Sequence, residues 1–314
     1  MKDLVIIGSG PAGLSAGVYA KRAMLDVIII EERAFSGGQI VNTHQVDNYL
    51  GMKGVSGFDM GMKFREHADA LGISFVNDKV IQIKNNGDFK EIVLENEENI
   101  KTKAVIVATG ATHRLLGVEG EKELTGAGVS YCATCDGAFF KNKEVAVVGG
   151  GNVALGDVIY LSKICSKVHL IHRRQEFRGS NFLADRVLNT ENVEFHPYRQ
   201  ITKIAGNPGQ LKLSLANVSD KENGKNEEMD VAGLFVAVGM RPVTDFMEDI
   251  VRLDENGYIV AGEDCVTSTP GIFAVGDVRT KKVRQVATAV GDGANAVNSV
   301  QEYLSSIKTE DRKS

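Results

Sequence analysis

One arrangement constrains this 314-residue chain more than any other, because it occurs twice: an apolar run, a glycine turn, a helical stretch and a second apolar run. In the first copy Leu4–Ile7 leads into Gly8-Ser9-Gly10-Pro11-Ala12-Gly13, a helical stretch covers about Ala12 to Met24, and Val27–Ile30 ends at Glu31. In the second, Glu144–Val148 leads into Gly149-Gly150-Gly151-Asn152-Val153-Ala154, a helix reaches about Ser162, and Lys167–Ile171 ends at His172-Arg173-Arg174. Strand, glycine turn, helix and strand make a βαβ unit. The length fits about two domains. The fold class expected is therefore α/β, with the same nucleotide-binding plan used twice.

The physical need is the same in both copies. Glycines allow a tight turn and a close approach of backbone to a pyrophosphate, and the helix N-terminus offers free N–H groups with a partial positive charge. A lone glycine pattern is weak, but a position between strand and helix strengthens it. The ends of the second strands differ. Glu31 lies 23 residues after Gly8, and His172 lies 23 residues after Gly149. At the first position a carboxylate can accept hydrogen bonds from ribose hydroxyls, as FAD or NAD requires. At the second there is no acid, and Arg173, Arg174 and Arg178 follow; guanidinium groups pair well with a ribose 2′-phosphate, as NADP requires. The competing explanations are a βα turn without a nucleotide and a solvated basic surface. The equal spacing and opposite sign of the two copies count against both.

Elsewhere, residues 37–72 read as loop and helix, and 73–100 as short strands in a meander with a turn at Asn85-Asn86-Gly87-Asp88. Ala104–Ala108, Leu234–Val238 (closed by Gly239) and Gly271–Val275 (closed by Gly276-Asp277) read as strands, and about Ala287 to Leu304 as a helix. Polar residues 218–230 read as a hairpin loop, and Lys308–Ser314 as a charged tail. The net charge of −5 argues against a general nucleic-acid surface. No run of about 18 apolar residues is present, so no membrane-spanning helix is expected. The strand pattern starting at Leu4 leaves no room for a signal peptide, so the cytoplasm is the expected compartment.

Four cysteines are too few for a disulfide scaffold of this size. Two of them form Cys132-Ala133-Thr134-Cys135-Asp136. A CxxC pair can close and reopen a disulfide by exchange. Asp136 is placed to deliver a proton to a leaving thiolate, although a turn or helix-cap role suits it nearly as well. Half of a zinc site is a second reading of the pair, but no second CxxC or HxxxH is present, and no metal is expected. Two unrelated buried cysteines are a third. Cys165 and Cys265 stand alone and read as packing residues.

Two nucleotide fingerprints thus flank Cys-Ala-Thr-Cys-Asp-Gly, with His172-Arg173-Arg174-Gln175-Glu176-Phe177-Arg178 downstream and Gly271-Ile272-Phe273-Ala274-Val275-Gly276-Asp277 near the end. Over almost its whole length the chain closely resembles the low-molecular-weight thioredoxin reductases of bacteria. The resemblance implies two Rossmann-like, three-layer ββα domains, with an NADPH domain at about 117–245 inserted into an FAD domain of about 1–116 and 246–314. It also implies a homodimer with no nucleic-acid or membrane partner, which passes electrons from NADPH through FAD and the Cys132–Cys135 dithiol to thioredoxin.

Position by position, the resemblance puts Gly8, Gly10, Ala12 and Gly13 on the FAD pyrophosphate and Glu31 on its ribose. Gly38, Gln39 and Asn48 match flavin contacts, Gly276 and Asp277 the ribitol motif, and Arg284, Gln285 and Val286 the segment beside the flavin ring. Gly149, Gly151, Asn152 and Ala154 match the NADPH pyrophosphate cradle, and His172, Arg173, Arg174 and Arg178 its 2′-phosphate end. Cys135 matches the flavin-proximal thiol, Cys132 the thiol that attacks thioredoxin, and Asp136 the acid. Two departures stand out. Leu155-Gly156-Asp157 stands where the family has x-Glu-Glu, the first acid being near the nicotinamide, and Ala127 stands where the family often has Arg. Relatives with weakened nucleotide sites take electrons from ferredoxin or behave as thiol oxidases, so the alternative within this resemblance is ferredoxin as donor, or oxygen or a small disulfide as acceptor. The basic motif of such relatives is usually degraded, whereas here it is whole, so NADPH stands first. A non-catalytic NADP-binding redox sensor is the alternative from another class.

Overall fold

The computed structural model describes residues 1–43, 45–219, 227–247 and 249–310. The chain forms two compact units, one of residues 1–42, 49–112 and 241–314, the other of residues 43–48 and 113–240.

The first unit is built on a sheet whose parallel strands run in the order Ser74–Asn77, Val27–Glu31, Lys2–Ile7, Asn99–Val107, with Ile272–Ala274 pairing in parallel along the last part of Asn99–Val107. The first part of Asn99–Val107 instead pairs antiparallel with Lys90–Leu94, which pairs with Val80–Asn85. Alternation along the strands makes two cores. Leu4, Ile6, Val27, Ile29, Ala104 and Ile106 face helices Pro11–Arg22 and Val286–Glu310. Val5, Ile7, Ile28, Ile30, Val105 and Val107 face the opposite way, where Ile83, Ile92 and Leu94 of the meander lie. A strand covered on both sides is apolar throughout, which is why Leu4-Val5-Ile6-Ile7 and Val27-Ile28-Ile29-Ile30 carry no polar alternation.

The expected meander over 73–100 is shorter in the structure. Ser74–Asn77 joins the parallel part beside Val27–Glu31 because the chain returns through the helix Gly57–Ala70, a crossover of the kind parallel pairing needs. Ser56 caps that helix by accepting a hydrogen bond from the Asp59 N–H. The turn at 85–88 is present, with Gly87 at a φ of 76°. The last helix runs from Val286 to Glu310, past Leu304.

The second unit repeats the plan with a parallel sheet in the order Val193–His196, Lys167–Ile171, Glu144–Val148, Gly233–Val236, Val129–Ser130. Helices Asn152–Leu161 and Asn181–Leu188 pack on one face with Val145, Val147, Val168 and Leu170. An antiparallel sheet of Arg199–Asn207, Gln210–Asn217 and Glu227–Val231 covers Ala146, Val148 and Ile171 on the other. Both units are thus three-layered ββα, as expected. The tip of the hairpin expected over 218–230, at 220–226, lies outside the described residues, as do 311–314 of the charged tail. No helix among the described residues is long and apolar enough to cross a membrane.

Candidate active site

In the first unit the glycine turn closes between Lys2–Ile7 and Pro11–Arg22, with Gly10 as N-cap and Pro11 in the first turn. Gly8 has a φ of 102°, and a Cβ on Gly13 would stand 1.9 Å from the Gly8 carbonyl oxygen, so strand end and helix start meet with no room for a side chain. Other candidate residues gather at this helix start. A Cβ on Gly38 would lie 3.2 Å from Gly10 Cα, and one on Gly276 would lie 2.9 Å from Ala12 Cβ. Gln39 follows in the 3-10 turn Gly38–Asn42. Asn48 is exposed and belongs to the segment 43–48 grouped with the second unit.

Glu31 is at the end of its strand, as expected. Its Oε2 accepts from the Ser9 N–H at 2.7 Å and the Ser9 hydroxyl at 2.6 Å, and its Oε1 from the Arg33 N–H at 3.0 Å. Buried Ser9 had no marker in the sequence beyond its place inside the glycine turn.

Asp277 and Arg284 make the test of fit to FAD. Asp277 Oδ1 and Arg284 Nε are buried and have no hydrogen-bond partner among the described residues. Burial pushes the Asp277 carboxyl above its ordinary range, against the pull of Lys281 and Arg284. Arg284 lies over the Tyr258 ring at 4.2 Å, and Gln285 and Val286 follow at the start of the last helix. Buried polar atoms are nearly always paired in folded proteins, so these two fit a polar ligand, and Asp277 follows Gly276, which packs against Ala12 of the glycine turn. Behind them, Asp292 accepts from Arg279 at 2.7 and 2.8 Å, from Lys281 at 3.0 Å and from the Gly276 N–H at 2.8 Å. Sequence reasoning missed this buried network; its only trace was an acid between Gly291 and Gly293.

In the second unit Gly151 caps the helix Asn152–Leu161, and a Cβ there would meet nothing within 4 Å. Ala154, the residue in place of a third glycine, turns its methyl toward Gly149. His172 packs against Gly150 so closely that a Cβ would stand 2.3 Å from its ring. The Arg178 N–H donates to the Gly150 carbonyl at 2.7 Å, and Asn152 Oδ1 accepts from the Ser180 N–H at 2.7 Å. The basic segment is thereby folded back onto the glycine turn. Arg173, Arg174 and Arg178 are exposed and have no ion-pair partner among the described residues. Burial, reinforced by these three charges, holds His172 below its ordinary value, and its Nε2 has no hydrogen-bond partner among the described residues. An open helix N-terminus beside three unneutralised guanidiniums fits a dinucleotide with an extra phosphate.

Cys132 and Cys135 are joined by a disulfide, with a Cα–Cα distance of 5.3 Å. Both are half-buried on the single turn Ala133–Asp136 and its N-cap. Closure of this bond is the finding that separates the redox reading from zinc and from packing. Ser130, buried at the end of the strand Val129–Ser130, accepts from the Cys132 N–H at 3.1 Å and donates to Asp136 Oδ2 at 2.6 Å. Sequence reasoning missed Ser130, which carries no motif. The Asp136 carboxylate is thereby linked to the Cys132 backbone through the Ser130 hydroxyl, and Asp136 stands at the N-cap of the 3-10 turn Gly137–Phe140. Cys165 and Cys265 are free and buried, and burial pushes their thiols up to about 11 and about 12, which suits packing rather than exchange. Gly156 has open space around it, and burial pushes its neighbour Asp157 up to about 7.

The pyridine nucleotide-disulphide oxidoreductase family matches residues 2–293. Thioredoxin reductase of Listeria innocua is 42% identical over 306 residues, covering 98% of this chain and 95% of its own. That of Bacillus subtilis is 40% identical, covering 98% and 96%. Among solved structures, thioredoxin reductase from Streptococcus pyogenes superposes with a TM-score of 0.90 at 42% identity, covering 98% of this chain and 99% of that one. A disulfide between two cysteines three apart, two glycine-turn units and these likenesses agree: the chain belongs to the pyridine nucleotide-disulphide oxidoreductase family and, within it, to the thioredoxin reductases.

Proposed function

We propose that this chain reduces the disulfide of thioredoxin with electrons from NADPH, and that the first compact unit holds FAD while the second holds NADPH and the Cys132–Cys135 pair. The family is one of flavoproteins that use FAD and NADPH. The observation that carries the reading is the closed Cys132–Cys135 disulfide in a chain with two glycine-turn sites of opposite ribose chemistry. When bound, FAD would supply the two-electron chemistry that links NADPH to the disulfide.

The chain's own residues do the rest. In the first unit Gly8, Gly10, Ala12 and Gly13 receive the FAD pyrophosphate and Glu31 its ribose. Gly38, Gln39, Asn48, Gly276, Asp277, Arg284, Gln285 and Val286 serve the remainder of FAD. In the second, Gly149, Gly151, Asn152 and Ala154 receive the NADPH pyrophosphate, with His172, Arg173, Arg174 and Arg178 at its 2′-phosphate. Cys135 is the thiol that would exchange electrons with the flavin. The Cys132 thiolate attacks one sulfur of thioredoxin's disulfide, and the departing thioredoxin thiolate takes a proton from Asp136. The Cys135 thiolate then attacks Cys132 in the mixed disulfide, which closes Cys132–Cys135 and releases the second thioredoxin sulfur as a thiolate. The working form is a homodimer in the cytoplasm; the family resemblance supports the dimer, and two free buried thiols suit a reducing compartment.

The test is direct. The purified protein is yellow, carries about one FAD per chain, bleaches anaerobically with NADPH and then reduces thioredoxin. Cys135→Ser still bleaches but reduces no thioredoxin. A flavin that excess NADPH leaves oxidised points to ferredoxin or another donor, and a colourless protein to a redox sensor.

A further inference from the structure

We propose that His169, His196 and Glu194 form a binding site for a divalent transition metal, Zn2+ foremost, on the sheet of the second unit. None of the three takes part in the nucleotide or disulfide chemistry above. His169 is in the strand Lys167–Ile171, and Glu194 and His196 are in the edge strand Val193–His196. The parallel register sets His169 opposite Glu194, and residues two apart on a strand point the same way. All three side chains therefore converge on one face of the sheet.

The spacing is that of metal ligands. His169 Nδ1 lies 3.0 Å from His196 Nε2 and 3.8 Å from Glu194 Oε2, and Glu194 Oε1 lies 3.6 Å from His196 Nε2. Ligand bonds of roughly 2.0–2.2 Å at tetrahedral angles put ligand atoms about 3.3–3.5 Å apart. One ligand atom from each residue fits within a span of 4.8 Å. Two imidazoles and a carboxylate are a donor set suited to zinc, with water in the fourth position. The far nitrogen of His169, Nε2, lies 3.4 Å from Glu144 Oε2. A carboxylate behind a ligating histidine fixes its tautomer, leaving Nδ1 as the lone-pair donor. His196 then ligates through Nε2 and carries its proton on Nδ1.

Lys167 is the competing cation, with Nζ 2.6 Å from Glu194 Oε2. It engages one carboxylate oxygen and leaves Oε1, the one nearer His196, for the metal. A hydrogen-bonded network that only closes the sheet edge is the rival explanation, and it requires no metal uptake.

The test uses the untagged, FAD-loaded full chain with the Cys132–Cys135 disulfide closed, so that no dithiol competes. Zn2+ is titrated against a chromophoric chelator. One Zn2+ per chain is expected. His169→Gln, His196→Gln and Glu194→Gln each weaken binding by about 100-fold, and Glu144→Gln by about 10–100-fold, with the flavin spectrum and metal-free activity unchanged. Substoichiometric uptake by the parent, or parent-like affinity in either histidine variant, overturns the site. Glu194 is about half exposed, so Glu194→Gln folds even where a histidine variant does not, and parent-like affinity there overturns it equally.

Discussion

Ser130 Oγ donates a 2.6 Å hydrogen bond to Asp136 Oδ2 while accepting one from the Cys132 backbone, so one hydroxyl ties the acid to the first cysteine of the redox pair. In the proposed exchange it is a positioning residue. Ser130→Ala removes both bonds and so loosens the tie between the Asp136 carboxyl and Cys132. A positioned acid contributes about 10²–10⁴ in rate, so partial misplacement is expected to slow thioredoxin reduction by about tenfold. NADPH-dependent flavin bleaching stays at the parent rate. Stopped-flow traces separate the two steps, and the slowed step shifts its pH profile, which a purely structural defect would not produce.

Arg173, Arg174 and Arg178 stand exposed beside the folded-back glycine turn with no ion-pair partner among the described residues. A hydrogen bond to a charged group is worth about 1.5–3 kcal/mol. Arg174→Ala is therefore expected to raise KM for NADPH by about 10–100-fold with kcat little changed. KM for NADH, which lacks the 2′-phosphate, stays near the parent value. Steady-state kinetics with both nucleotides checks this.

Asp292 is tied to Arg279, Lys281 and the Gly276 N–H, with 7% of its side chain exposed. Breaking a buried ion pair by removing one partner costs about 3–5 kcal/mol. Asp292→Asn is expected to lower the melting temperature and weaken FAD retention, because Gly276 loses its anchor. Burial alone would raise the Asp292 carboxyl, but Arg279 and Lys281 outweigh it and hold it below the usual range. A depressed folded pKa gives stability that is complete above the unfolded value of about 3.8 and is lost as pH falls through the folded value. The parent's advantage over Asp292→Asn therefore shrinks in strong acid, as denaturant melts at pH 7 and pH 3 would register.

Asp157 carries the opposite sign. Burial pushes its carboxyl from 3.8 up to about 7. The folded state then binds more protons than the unfolded state between those values, so this group makes stability fall as pH rises from about 4 to 7. Asp157→Asn removes the dependence. The variant's stability relative to the parent is expected to grow over that range and level off above it, in chemical denaturation across pH 4–8. A constant difference would mean that Asp157 is solvated in solution.

The sequence was most legible where local rules and burial agree. Leu4–Ile7, Val27–Ile30, Val145–Val148 and Val168–Ile171 are buried on both faces, so continuous apolar runs and glycine turns marked their strands to within two residues. Strands Arg199–Asn207 and Gln210–Asn217 and helix Asn181–Leu188 were not read, because their half-exposed faces mix polar and apolar residues. The closed disulfide agrees with the CxxC spacing. Ser130, Ser9 and the Arg279–Asp292 pair were invisible for a different reason. Each acts through a contact that only the folded chain creates, as between Ser9 and Glu31, 22 positions apart.

The helix Val286–Glu310 meets Pro11–Arg22 so closely that a Cβ on Gly293 would stand 2.4 Å from the Ala12 carbonyl oxygen, and Ile272–Ala274 pairs beside Asn99–Val107. During synthesis, then, the two units mature in an order opposite to that of their first residues. The second unit has its last sheet strand once the ribosome has passed Val236. The first, begun with Lys2–Ile7, waits for the final helix before its apolar face is covered. Until then the nascent chain exposes Ala104 and Ile106, which makes this interval its period of greatest need for a chaperone.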